Sequence, residues 1–141
     1  KEKVLRELSY PYLLGCHSHH QETDSRFGAT YINPGSLGFA VDGVGRHAQF
    51  AILTGTSEKW EAEFLSVPYD VESYLQDFAK SGVDEMGMTL NRAIKKSLVT
   101  GVNYFFKSIL AMEARAKEMG LASMPQVPES EWEKLAERFG L

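Results

Sequence analysis

The 141-residue chain has little cysteine, no long apolar run and no excess of positive charge, and each shortage excludes a class of protein. A single cysteine, Cys16, excludes an internal disulfide framework and fits a reducing cytoplasm. No apolar run reaches the roughly 18 residues that a membrane-spanning helix needs. A formal net charge of −4 provides no basic surface for nucleic acid. We therefore expect a cytoplasmic protein with neither membrane nor nucleic acid as partner.

The length of the chain and its first residues indicate how many domains it holds and whether it is part of a longer protein. A chain of 141 residues is long enough for one domain with its own core and too short for two ordinary ones. Residues 1–8 are charged and amphipathic, without the apolar centre of a secretory signal, and no initiator methionine precedes them. We expect this chain to be part of a longer protein.

The order of predicted elements is strands first and helices afterwards. Apolar runs and alternating patterns predict strands at residues 10–14, 28–32, 47–53 and 60–67, whereas the polar residues 20–27 and the glycine-rich residues 35–45 predict loops. Helical spacing follows from Asp70 onward, and Gly140 ends the last helix. This order predicts an α+β fold with a mostly antiparallel sheet. We expect a first part at residues 1–82 and a helical extension packed on it at residues 83–141.

The most informative motif is G-C-H-S-H-H-Q at residues 15–21, which holds three of the four histidines. His17 and His19 are spaced i, i+2, so at the end of a strand both side chains would lie on one face. Two imidazoles in one cleft are half of a site for a borderline divalent ion. Further ligands are needed, and the nearby Glu22, Asp24, Asn33 and Asp42 follow no recognisable ligand spacing. Taken alone, the motif is equally compatible with a polar loop.

A second motif, N-P-G-S, follows at residues 33–36. Pro34 and Gly35 at its centre predict a type II turn, because Gly35 can adopt a positive φ. The simplest role of this turn is structural. A functional role is to support the histidine loop, with Asn33, Gly35 and Ser36 as the supporting residues.

Taken in order, the two motifs make residues 10–78 resemble the C-terminal portion of the calcineurin-like metallophosphoesterases. The similarity is closest to their small bacterial and archaeal phosphodiesterase branch, in which G-H-T-H or G-H-S-H is followed by an N-P-G-S turn and a pair of strands. The resemblance implies the C-terminal half of an αββα sandwich. It further implies hydrolysis of a small phosphate ester, most specifically a phosphodiester, by a water that two divalent ions (Mn, Ni, Fe or Zn) activate.

Under this resemblance His17 and His19 each reach one ion of a two-metal centre. Cys16 departs from the family motif, which has glycine there. The other ligand motifs of the family, among them D-x-H and G-N-H, precede this region and do not occur in the chain. The resemblance therefore implies that the N-terminal half of the same enzyme supplies the remaining ligands.

Two other interpretations remain open. The same fold serves as a protein-interaction scaffold with a degenerate metal site. Intact His17 and His19 favour the enzyme, and the missing ligand motifs keep the scaffold open for this chain. A third is a single zinc ion held by Cys16, His17 and His19. The aromatic side chains of the helical region are compatible with a homo-oligomer.

Overall fold

A computed structural model describes residues 2–7, 9–85 and 87–141 of the chain. The described residues form α-helices and small sheets, which confirms the predicted α+β class. The chain divides into two compact units, residues 1–69 and 70–141. The helix that follows Asp70 lies in the second unit. The boundary that the sequence analysis placed after Gly82, between a first part and a helical extension, stays a prediction.

The first unit holds one short helix and the strands. Its elements are α1 (Glu2–Glu7), β1 (Tyr12–Leu14), β2 (Gln21–Arg26), β3 (Ala29–Pro34), β4 (His47–Gly55) and β5 (Trp60–Pro68). A mixed sheet has the order β1-β3-β2, in which β1 runs parallel to β3 and β2 antiparallel to it. Strands β4 and β5 form an antiparallel hairpin. Leu5 of α1 and Ile32 of β3 are buried, and α1 lies against β3.

Strand β2 corrects the prediction of a loop at residues 20–27. It pairs with β3 along its whole length, from Gln21 opposite Pro34 to Arg26 opposite Ala29. The connection is the two residues Phe27 and Gly28, both with positive φ (54° and 77°), as in the hairpin turn whose twist matches that of its strands. The sequence hides this strand because its side chains are polar and Phe replaces the usual turn residues.

Two side chains connect the mixed sheet to the hairpin. The Gln21 amide Nε2 donates to the carbonyl oxygens of Phe50 (3.0 Å) on β4 and Leu65 (2.8 Å) on β5. The Tyr12 hydroxyl accepts from the backbone N–H of Trp60 at 2.7 Å. The Tyr12 contact satisfies a backbone N–H at the start of β5, the Gln21 amide adds a donor to two carbonyls of the hairpin, and both contacts connect the hairpin to the mixed sheet. The Trp60 side chain itself is 49% exposed.

The second unit is helical. Its elements are α2 (Val71–Lys80), a 3-10 turn (Val83–Glu85), α3 (Met88–Thr100), α4 (Tyr104–Glu118), a second 3-10 turn (Met124–Gln126) and α5 (Glu129–Phe139). Asp70 caps α2 by accepting the Ser73 N–H, and Gly140 ends α5 in the left-handed conformation, both as predicted. The core cluster joins α4, the second 3-10 turn and α5: Met112, Ala116, Val127, Trp132 and Leu135.

A buried hydroxyl shapes the corner between α3 and α4. Ser97 is completely buried, and its Oγ donates to the Ala93 carbonyl (2.7 Å) while accepting the N–H groups of Tyr104 (2.9 Å) and Phe105 (3.3 Å). The first N–H groups of a helix have no partner within that helix. Ser97 therefore satisfies the start of α4 from the preceding helix and fixes the turn at Gly101.

None of the helices in the described part of the chain is long and apolar enough to cross a membrane.

Glu131 of α5 forms an ion pair with Arg115 of α4. Its carboxylate accepts from Lys134 Nζ at 2.6 Å and from Arg115 Nε at 2.8 Å. These two hydrogen bonds, that of Lys134 first, lower the pKa of Glu131 below its ordinary value of 4.5. A carboxylate with a lowered folded-state pKa stabilises the fold above its unfolded-state pKa, and this contribution disappears as the pH falls through the folded-state value.

We expect Glu131→Gln to destabilise the helical unit at neutral pH but not below the lowered pKa, where the wild-type carboxyl is protonated as well. Urea unfolding followed by circular dichroism from pH 7 to pH 3 measures the difference between the two proteins. Glu137→Gln, an exposed change on the same helix, is the matched control. A difference between wild type and Glu131→Gln that stays constant over this range would show that the ion pairs do not act as described.

Candidate functional site

The histidine motif lies in a tight turn that is pressed against β3. The Gly15 N–H donates to the Ile32 carbonyl at 3.0 Å, and the His19 N–H donates to the Cys16 carbonyl at 3.1 Å. A Cβ at Gly15 would lie 2.7 Å from Cε2 of Tyr31, so no larger residue fits there without movement of the ring. The close approach of the Gly15 backbone to the Tyr31 ring on β3 therefore fixes the point at which the histidine turn leaves the sheet.

The turn corrects the expectation that strand alternation places His17 and His19 on one face. Strand β1 ends at Leu14, and His17 and Ser18 are turn residues. His19 has a φ of 57°, in the left-handed region that histidine adopts more readily than most residues. His17 is exposed and His19 is half-buried. The sequence did not reveal this geometry, because the apolar run before Gly15 gives no sign of where strand pairing stops.

The His19 ring is held by Phe39. Its Nδ1 lies 2.8 Å from the Phe39 carbonyl oxygen, and the two rings meet edge to face with centroids 5.7 Å apart. A carbonyl only accepts, so Nδ1 carries the proton. In the neutral imidazole the lone pair then lies on Nε2. Histidines that bind metal ions characteristically donate their other ring N–H to such a carbonyl or carboxylate.

Asn33 connects the histidine turn to the N-P-G-S motif. Its side chain is fully buried. Nδ2 donates to Ser18 Oγ (2.8 Å) and to the Tyr31 hydroxyl (3.0 Å), while Oδ1 accepts the Gly35 N–H at 3.0 Å. The amide thus spans both motifs. Sequence analysis named Asn33 as a supporting residue, but it missed Ser18 and Tyr31, which complete the network.

The N-P-G-S motif contacts the loop that follows it. Gly35 has the predicted positive φ, at 85°, but β3 extends through Asn33 and Pro34, so the type II turn expected over residues 33–36 is not observed and N-P-G-S forms the end of the strand. Ser36 Oγ accepts the Phe39 N–H at 3.0 Å, and the Ser36 carbonyl accepts the Gln49 N–H of β4 at 2.9 Å. The Phe39 carbonyl that holds His19 therefore belongs to a loop that Ser36 fixes. No sequence signal identifies Phe39, because it contributes a backbone atom.

Two aspartates near the histidines in the sequence make other contacts. Asp24 accepts from Arg26 Nε at 2.7 Å. The Asp42 carboxylate accepts the Val44 N–H at 3.0 Å and the Gln49 amide at 2.7 Å. Both carboxylates serve the local structure of their own strand or loop.

Across residues 2–7, 9–85 and 87–141, no three His, Cys, Asp or Glu side chains come together to hold a metal ion. Cys16, His17 and His19 are not gathered into such a group, and the single-zinc interpretation stays a prediction. The turn provides two imidazoles as possible metal ligands. One of them, His19, also donates its other ring N–H to a carbonyl, as histidines that bind metal ions characteristically do. The two imidazoles fit part of a divalent-ion site.

Comparison of the chain with protein-family models, with curated proteins and with solved structures gave no match.

We expect Asn33→Ala to destabilise the strand-rich unit and to loosen the histidine turn. It leaves Ser18, Tyr31 and Gly35 without their amide partner. The exposed Ser18 can bond to water instead, whereas a buried N–H such as that of Gly35 costs about 1–3 kcal/mol when it is left unpaired. Hydrogen exchange followed by mass spectrometry measures both effects, in the amides of β3 and in those of residues 15–20.

Ser18→Ala is the comparison variant, because it removes one of the three hydrogen bonds and leaves the others in place. It should speed exchange in the histidine turn with little change in β3. Equal effects of the two variants on β3 would show that Asn33 does not connect the two motifs energetically.

Proposed function

We propose that this protein is a metal-dependent phosphoesterase, most specifically a phosphodiesterase, in which His17 and His19 bind the ions. The observation that carries the proposal is the His19 hydrogen bond to Phe39, which leaves Nε2 as the ligating atom. The order of the H-S-H and N-P-G-S motifs, and their contact through Asn33, support it further. The finer fold that accompanies this function is the C-terminal half of an αββα sandwich.

The residues of the chain have distinct roles in this proposal. His17 and His19 would hold two divalent ions, of which Mn, Ni, Fe and Zn all suit imidazole. The chemistry that such ions supply when bound is polarisation of the phosphate oxygens and a lowered pKa of water. Asn33 fixes the histidine turn through Ser18, and the Phe39 carbonyl orients the His19 ring.

The remaining ligands come, in this proposal, from the N-terminal half of the same enzyme. Two imidazoles do not complete the coordination of one ion, and the described residues gather no third donor around them. The substrate proposed is a small phosphate ester. A net charge of −4 disfavours a long polyanion such as nucleic acid.

The second candidate function is a protein-interaction scaffold that does not catalyse a reaction. The specific observation in its favour is the same absence of a third ligating side chain near His17 and His19 among the described residues. The two functions differ in metal content, because a scaffold does not need the ions.

Elemental analysis and intact mass, measured on the same native sample, distinguish the two functions. The phosphoesterase is expected to carry about two transition-metal ions per molecule, as in two-metal hydrolytic sites. Its mass is expected to be well above 15.8 kDa, or a second chain to be present. Absence of metal at a mass near 15.8 kDa would mean a half-site fragment or the non-catalytic scaffold, and would lead to a search for binding partners.

We expect His17→Ala and His19→Ala each to abolish most phosphodiester hydrolysis by the native enzyme without changing its fold. Each removes one ligand, and metal uptake measured on the same samples should fall in parallel. His20→Ala is the matched control, because His20 is the exposed neighbour in the same motif. Wild-type turnover in either of the first two variants would contradict the assignment.

A further inference from the structure

The hydroxyl of Ser36 is connected to the His19 ring through the backbone of Phe39. Ser36 Oγ accepts the Phe39 N–H at 3.0 Å, and the Phe39 carbonyl lies 2.8 Å from His19 Nδ1. The carbonyl of Ser36 accepts the Gln49 N–H at 2.9 Å, which ties this residue to β4. Hydrogen bonds at Ser36 and at Phe39, joined by the covalent chain of these two residues, therefore connect strand β4 to the imidazole.

We propose that Ser36 is a positioning residue that sets the tautomer of His19. By holding the Phe39 amide, it places the carbonyl where only the Nδ1–H form of His19 can donate to it. The use of the resulting Nε2 lone pair for ion binding rests on the proposed function, whereas the tautomer itself does not.

The geometry supports a role for the Ser36 hydroxyl beyond closing a turn. The N-P-G-S motif already has the Gly35 N–H bond to Asn33 and the backbone bond from Gln49 to Ser36. The hydroxyl acts instead on the loop three residues further on. A free imidazole in water favours the Nε2–H form, so a pure Nδ1–H form at His19 requires a fixed acceptor. Phe39 provides it, and its ring also packs against the edge of the imidazole.

The test is the ring-nitrogen spectrum of His19 in the 141-residue protein, uniformly labelled with ¹⁵N, without metal and at a pH where the imidazoles are neutral. Long-range ¹H–¹⁵N correlation distinguishes the two tautomers directly. Wild-type His19 is expected in the Nδ1–H form, in contrast to the exposed His17 and His20. An Nε2–H form at His19 would overturn the proposal.

Ser36→Ala is expected to shift His19 towards a mixture of tautomers, and Ser36→Thr, which keeps the hydroxyl, to restore the Nδ1–H form. Ser25→Ala is the matched control, because the exposed Ser25 hydroxyl hydrogen-bonds to Thr30 (2.9 Å) on the surface of the same unit. A folded Ser36→Ala protein that retains pure Nδ1–H would overturn the role of Ser36.

If Ser36→Ala does not fold, the Ser36→Cys protein decides the question, because a thiol of similar size accepts hydrogen bonds weakly. It is expected to shift His19 part of the way, and an unchanged Nδ1–H spectrum would again overturn the proposal. Loss of the Phe39 bond should also speed exchange of the Phe39 amide in that variant.

Calorimetry with Zn²⁺ alone separates this inference from the proposed function. If His19 binds the ion, Ser36→Ala should weaken binding about 10-fold to 100-fold, as changes behind a metal ligand do. If the chain shows the tautomer response, a His19→Ala protein that binds Zn²⁺ as tightly as the wild type would contradict the proposed function and leave the role of Ser36 in place.

Discussion

The buried side-chain amide of Asn33 lies where the two motifs of the strand-rich unit meet. It donates to Ser18 in the histidine turn and accepts from Gly35 after β3, so movement of either segment breaks a hydrogen bond of a buried amide. An unpaired amide in an interior costs more than a surface contact gains, so the Asn33 side chain stabilises both segments through one buried group. The position of His19, and with it the proposed metal chemistry, depends on that constraint.

Ser97 performs a comparable task in the helical unit. It is also completely buried, and it also satisfies backbone groups that have no partner within their own element. In each unit one small polar side chain hydrogen-bonds to groups on two neighbouring segments and holds them together. Apolar packing, such as that of Trp132 and Leu135, provides most of the buried surface. Hydrogen bonds have preferred directions and can therefore fix the position of a segment, whereas apolar contacts stabilise the fold without such a direction.

The parts of the structure that sequence predicts well are those with local causes. Asp70 caps a helix because its carboxylate reaches an N–H three residues away, and Gly35 adopts a positive φ because it has no side chain. Strand β2 was missed because its stability comes from pairing with β3 and not from its own polar side chains. Phe39 was missed for a related reason: it acts on His19 through a backbone oxygen, and every residue has one.

Each unit contains one of the two tryptophans of the chain, and their surroundings differ. Trp60 has half of its indole in solvent, whereas Trp132 is 9% exposed within the core cluster. An indole in water emits at longer wavelength than one in an apolar interior. We therefore expect two components in the emission spectrum, through which the intrinsic fluorescence of the unlabelled protein can report on its strand-rich and helical units separately.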